Sequence, residues 1–145
     1  MSSKKEFSFF HSTPVQIRFN DFDFLEHVNN SVYQNYYDLA RTSYFDAVFK
    51  QKMQWHFQGL VLAKVTLEFI RPIFMEDQVE VHTKIIKLGN KSLVMFQQII
   101  NPVTKEIKST CESIMVAFAQ AANKPCPIPD EWRQKIISFE KDIDF

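Results

Sequence analysis

The chain has 145 residues, the length of one domain (1–145), and at 46% hydrophobic it can bury a sizeable core. Lys plus Arg balances Asp plus Glu at 17 each, which argues against nucleic acid as the main partner. Cys111 and Cys126 are the only two cysteines and form neither a disulfide framework nor a metal-like cluster, so a reduced, cytoplasmic, metal-free protein is expected.

The N-terminal "MSSKKEFSFFHS" has no long apolar run, so it reads as neither signal peptide nor membrane span, and no membrane partner is expected. Residues 14–20 alternate: Val15, Ile17 and Phe19 are separated by Gln16 and Arg18, which predicts a half-buried strand. Residues 21–28 read as a loop. From Asn30 to about Phe49 the period changes. Tyr33, Tyr36, Tyr37, Ala40, Tyr44 and Val48 recur three or four apart, which predicts an amphipathic helix with Asn29 or Asn30 as N-cap. A less regular stretch, 51–58, leads to Gly59. The run 60–70 puts Val61, Ala63, Val65, Leu67 and Phe69 on one face, and Pro72 ends it. Strands are expected at 78–88 and 92–100 with a hairpin turn at 89–91, then a turn at "NPVTK" and a last long strand at 106–120. In that last strand the alternating Cys111, Ser113, Met115 and Ala117 are small enough to lie under a packed helix. Pro129 and Asp130 open a short C-terminal helix within 128–142. One strand, a long helix and four further strands joined by short turns predict an α+β fold, an antiparallel sheet with the helix on one face. The fifteen phenylalanines then belong chiefly to a core.

The chemistry-bearing stretch is "NDFDFLEHVNNSVY", which gathers Asp21, Asp23, His27, Asn29 and Asn30 where the helix begins. A helix N-terminus offers unpaired N–H groups and a partial positive charge. With Asn29 as N-cap, the N–H of Asn30 is left to point at a ligand. A loop carboxylate beside it completes half of an acyl-transfer site: a base or nucleophile, and a donor to the developing oxyanion. Asp and Asn also serve as plain caps and turn formers before helices, so spacing alone does not choose.

The stretch resembles the signature of the hotdog-fold acyl-CoA thioesterases, the 4-hydroxybenzoyl-CoA thioesterase-like group. Asp21-Phe22-Asp23, His27-Val28-Asn29-Asn30, Tyr33, Asp38 and Ala40-Arg41 carry it, with "LEFIRPIFMEDQVEV" and "LGNKSLVMFQQI" further on. The resemblance implies a long central helix wrapped by an antiparallel sheet of about five strands, and a short C-terminal helix. It implies a homodimer or homotetramer with sites between subunits. The substrate would be an acyl-CoA, or the thioester of an acyl carrier protein, and no cofactor is required. It casts Asp23 as the catalytic carboxylate, as nucleophile or as general base. Asn30 N–H polarises the thioester carbonyl and His27 shapes the loop or shuttles a proton. Asn29 and Tyr33 adjoin the substrate, and Lys91 and Ser92 meet the CoA pantetheine or phosphates. Asp21 orders the loop, and Arg41 and Arg71 are structural or interfacial. The family's Gly before the His is Glu26 here, which would be strained if the position has positive φ. Two other functions suit the same residues: a hydratase or dehydratase using Asp23 and His27, or a non-catalytic acyl-thioester-binding protein.

Overall fold

The computed structural model describes residues 7–50 and 58–145, and the stretch read as irregular lies largely outside them. Strand β1 spans His11–Val15, and a 3-10 turn at Asn30–Val32 leads into helix α1, Tyr33–Phe49. Four strands follow: β2 Gln58–Phe69, β3 Val79–Leu88, β4 Ser92–Ile100 and β5 Ile107–Ala119. A short β6, Lys124–Pro125, and helix α2, Asp130–Phe139, complete the chain. All pairings are antiparallel and the order is β1-β3-β4-β5-β2, with β6 extending beside β5. The architecture is the expected hotdog arrangement, a long helix held by a curled antiparallel sheet.

Several expectations shift in detail. The first strand starts earlier and stops at Val15, and Phe19 is 84% exposed instead of facing the core. The cause is local: the Arg18 N–H donates to Asp21 Oδ2 at 2.9 Å and the Asp21 N–H to Arg18 O at 2.9 Å, closing a turn that competes with the strand ladder. In β2 the apolar alternation does not keep one face. A bulge between Leu62 and Lys64 switches the phase, so Leu60 faces the core before it, Val65 and Leu67 after it, and Val61 is exposed. The strands β2 and β3 do not form a hairpin. Residues 70–78 carry the chain across the end of the sheet, from one edge to a position next to β1. The hairpin at 89–91 holds as read; the Gly89 N–H donates to Ser92 O at 2.8 Å, and a Cβ at Gly89 would meet that oxygen at 3.1 Å. The expected small face of β5 is buried at Cys111, Ser113, Met115 and Ala117, and Cys111, Met115 and Ala117 join the apolar clusters that hold α1 side chains.

Helix α1 leans over β1 and β3, away from the β2 edge. Its inward stripe joins two apolar clusters, one around Tyr33, Tyr37, Val81 and Ile99, the other around Phe45, Phe49, Met95 and Ile136. Between them runs a buried polar band. Gln97 Nε2 donates to Tyr37 O at 3.2 Å and Thr83 Oγ1 at 3.1 Å, and the Tyr37 hydroxyl donates to Ser109 Oγ at 2.8 Å.

The C-terminal helix is locked by a buried carboxylate. Glu140, fully buried, accepts from Tyr44 Oη at 2.8 Å, Lys84 Nζ at 3.0 Å and the Ile85 N–H at 3.1 Å. Lys84 also reaches Asp142 at 2.7 Å and lies 4.7 Å from the Phe10 ring centroid. Burial and the neighbouring Glu140 push the Tyr44 phenol well above its ordinary range. Glu140→Ala removes the one carboxylate that Tyr44 and Ile85 share with Lys84, and it should cost about 3–5 kcal/mol of unfolding free energy by denaturant titration. The pair Lys84→Met with Glu140→Leu should recover much of that loss, because no unmatched charge remains buried.

Candidate active site

The entry to α1 is built by backbone bonds from two other segments. The Val28 N–H donates to Ile73 O at 2.8 Å and the Asn29 N–H to Asp21 O at 2.9 Å. Asn29 then caps the opening turn, its Oδ1 accepting the Ser31 N–H at 3.1 Å, while the Val32 N–H goes to Asn29 O at 2.8 Å. Each amide from Val28 to Val32 thus has an acceptor except that of Asn30, which has none among the described residues. Among the described residues, the fold therefore leaves the Asn30 N–H as the unmatched donor of this turn, at the positive end of a long helix.

Asp21 holds this loop through one carboxylate oxygen, Oδ2. Beyond its contacts to Arg18 it accepts the Tyr36 hydroxyl at 2.6 Å, and burial with this bond raises the Tyr36 phenol far above its usual range. Asp23 is half-buried and differently placed. Its Oδ1 accepts the Leu25 N–H at 2.9 Å, and its second oxygen has no partner among the described residues. His27 is half-buried with Nδ1 3.2 Å from Val28 O, and its Nε2 has no partner among the described residues. Between Asp23 and His27, Glu26 has φ 65, a left-handed conformation that suits glycine.

A cleft of about 190 Å³ opens here, lined by His27, Asn30, Tyr33, Phe69, Ile70, Arg71 and Pro72. Tyr33 is buried and meets Phe69 edge-on with centroids 5.0 Å apart; burial raises its phenol above the ordinary value. The opposite wall, 69–72, shows in the sequence only as a strand end and a turn. Its signal is present in "EFIRPIF", where apolar residues continue on both sides of the Arg-Pro step. Arg71, expected to be structural or interfacial, lines this wall with an exposed side chain and only a 3.7 Å approach to Glu106.

This wall is pinned from behind. Buried Lys108 donates to Pro72 O at 3.1 Å and pairs with Asp77 at 3.2 Å and Glu106 at 2.5 Å. Its carbonyl accepts the Ile70 and Arg71 N–H groups at 2.9 and 3.0 Å. Burial works against the charged form of Asp77, but the Phe74 N–H, Asn101 and Lys108 outweigh it and hold its carboxyl below the ordinary value.

Of the expected site residues, His27, Asn30 and Tyr33 line the cleft; Asp23 and Asn29 lie on the same entry loop but are not among the lining residues. Lys91 and Ser92 do not join them. They lie in the β3–β4 hairpin at the other end of β4, whose nine residues span roughly 30 Å.

A family model for the thioesterase-like superfamily matches residues 17–136. The chain belongs to that superfamily. The acyl-CoA thioester hydrolase YbgC of Escherichia coli is 26% identical over 118 residues, covering 80% of this chain and 87% of that protein. A thioesterase of Thermus thermophilus, solved with coenzyme A and Zn, superposes with a TM-score of 0.77 at 30% identity, covering 90% of this chain and 93% of that one. A thioesterase-superfamily protein of Jannaschia gives 0.83 at 16% identity, covering 95% and 97%, a likeness of fold. Within this superfamily member, Glu26 occupies the left-handed position that the resemblance assigns to glycine. Glu26→Gly should relieve about 1 kcal/mol of backbone strain and raise the melting temperature by a few degrees, read by calorimetry.

Proposed function

We propose that this protein hydrolyses acyl-CoA thioesters to free acid and CoA. The observation that carries this is the Asn30 N–H, without an acceptor among the described residues, at the start of a long helix and on a residue that lines the cleft, with Asp23 on the loop that leads into that helix. The helix end stabilises charge developing on the thioester oxygen. Asp23 attacks the carbonyl or activates the water that does. His27, with a free Nε2, stands where a proton is passed to the leaving thiolate. Tyr33, Phe69 and Ile70 supply an apolar lining for the acyl group next to the carbonyl. Membership of the thioesterase-like superfamily, the likeness to YbgC and the CoA-bound relative support acyl-CoA as the substrate.

The site draws on a second copy in this proposal. Strand β2 is a twelve-residue edge strand with Val61, Leu62 and Phe69 exposed, a long apolar edge that a soluble protein covers. Two β2 strands paired antiparallel about a two-fold axis reverse one sheet against the other. The hairpin end of one subunit then lies beside the cleft end of its partner. Lys91 and Ser92, remote from the cleft in one chain, thereby approach a CoA bound at the other, where a lysine suits the phosphates.

Asp23→Asn keeps an oxygen for the Leu25 N–H and removes the charge. We expect kcat to fall by at least about a hundredfold, the usual scale of general-base assistance, with the Kd of a non-hydrolysable acyl-CoA little changed. Asp21→Asn is the matched control. It weakens the grip on Tyr36 and Arg18, so it should lower stability more and kcat less. Near-wild-type hydrolysis by folded Asp23→Asn would remove the central residue of this mechanism.

Sedimentation at micromolar concentration should show a dimer or a tetramer. A fully active monomer would refute the shared site.

A further inference from the structure

The hairpin between β3 and β4 is tied to the C-terminal part of the chain through its carbonyls. Arg133 Nη2, on α2, donates to Gly89 O at 2.9 Å and to Asn90 O at 3.2 Å. The Ile128 N–H adds a second bond to Asn90 O at 2.9 Å, and the Ala117 N–H donates to Lys91 O at 2.8 Å. Three successive carbonyls of the turn are thus held against the rest of the protein. In a planar trans peptide the N–H points opposite to the C=O, and these peptides are trans. The Asn90 and Lys91 N–H groups therefore point away from Arg133. Neither has an acceptor among the described residues, and both residues are exposed.

Charge adds to this geometry. Arg133 bonds to peptide oxygens and has no carboxylate partner among the described residues, whereas Glu131 in the same helix pairs with Lys135 at 3.1 Å. The Arg133 charge stands at the negative ends of two peptide dipoles and strengthens the donors at their other ends. Lys91 is exposed and has no ion pair among the described residues. Two neighbouring outward N–H groups on a turn that also carries an ammonium suit an anion with several oxygens.

We propose that Arg133 is a positioning residue for a phosphate cradle at Asn90 and Lys91, and that the cradle takes a phosphate of the CoA nucleotide. The inference rests on the reading above of a CoA site shared between two copies. It goes beyond a lysine acting as a point charge: the turn supplies a fixed pair of amides, and α2 fixes the turn. Pantetheine carries no phosphate, so a bare pantetheine thioester gains nothing from the cradle. The hairpin is remote from the Asn30 amide of its own chain, so loosening it weakens binding of the coenzyme and spares the chemical step.

Arg133→Met keeps the aliphatic stem of the side chain and removes both bonds to the turn. KM for butyryl-CoA should rise roughly fivefold, the scale of a weakened hydrogen bond to a charged group, with kcat changed by less than about twofold. KM for butyryl-pantetheine should move far less. Arg133→Lys retains a donor for one carbonyl and should recover part of the loss. The Kd of free CoA, read by calorimetry, should follow the KM of the ester. In wild type the amide resonances of Asn90 and Lys91 should shift on adding CoA and stay in place on adding pantetheine. That measurement needs no variant, so it decides the matter if Arg133→Met melts early. Unmoved amides overturn the cradle. An equal rise in KM for both esters, or an unchanged Kd for CoA in folded Arg133→Met, overturns the role of Arg133. Equal shifts with inorganic phosphate at the same concentration mark a general anion site and overturn the assignment to CoA. Arg133-dependent CoA binding with no acyl-CoA cleaved supports the cradle and refutes hydrolysis as the activity.

Discussion

The four tyrosines of the chain are all on α1, and all are buried. A buried phenol needs a partner for its hydroxyl, and here each finds a different one. Tyr33 meets the Ile73 backbone, Tyr36 the Asp21 carboxylate, Tyr37 Ser109 on β5 and Tyr44 Glu140 after α2. Apolar contact alone would let the helix slide or rotate at low cost. Four directional bonds to the crossover segment, the entry loop, the sheet and the C-terminal segment fix its register and its rotation together. The position of the helix N-terminus, and so of the Asn30 amide, follows from them.

The same constraint explains the division of labour between the two aspartates. Asp21 is committed to Tyr36 and Arg18 and serves as a fastener. Asp23 turns the chain, accepting the Leu25 N–H with Oδ1, and each aspartate leaves its second oxygen without a partner among the described residues. Glu26 bends the backbone through the left-handed region so that His27 returns to the cleft. Strain at this point is offset by the bonds of Val28 to Ile73 and of Asn29 to Asp21 on either side. The wall at 69–72 is fixed through buried Lys108, so the two sides of the cleft are held by separate hydrogen-bond networks, joined at Ile73 and by the Tyr33–Phe69 ring contact.

The tilt of α1 toward β1 and β3 has a consequence for binding. It leaves a seam along β2, and β2 is also the open edge of the sheet. A ligand in that seam and a subunit on that edge would share the strand. The bulge near Ala63 lets Leu60 and Leu62 line a second cavity between α1 and β2, of about 260 Å³, while Val65 and Leu67 keep facing the core.

Much of this protein was legible in its sequence. The tyrosine spacing marked α1, the alternation marked β3, β4 and β5 almost to the residue, and the crowded "DFDFLEHVNN" marked the loop and helix entry. These are local properties, set by periodicity and by which side chains cap or turn a backbone. The end of β1, the bulge in β2, the strand order that separates β2 from β3, and the wall at 69–72 were not legible. Each depends on contacts between residues far apart in the chain or on a competition between local bonds and the ladder. Lys91 and Ser92 show the limit most plainly: the sequence marked them as site residues, and the single chain holds them a sheet's length from the cleft. Residue type and spacing determined the helix end and its free amide. Tertiary packing alone decided what faces that amide, because a strand's partners and a cavity's walls are chosen by the folded whole.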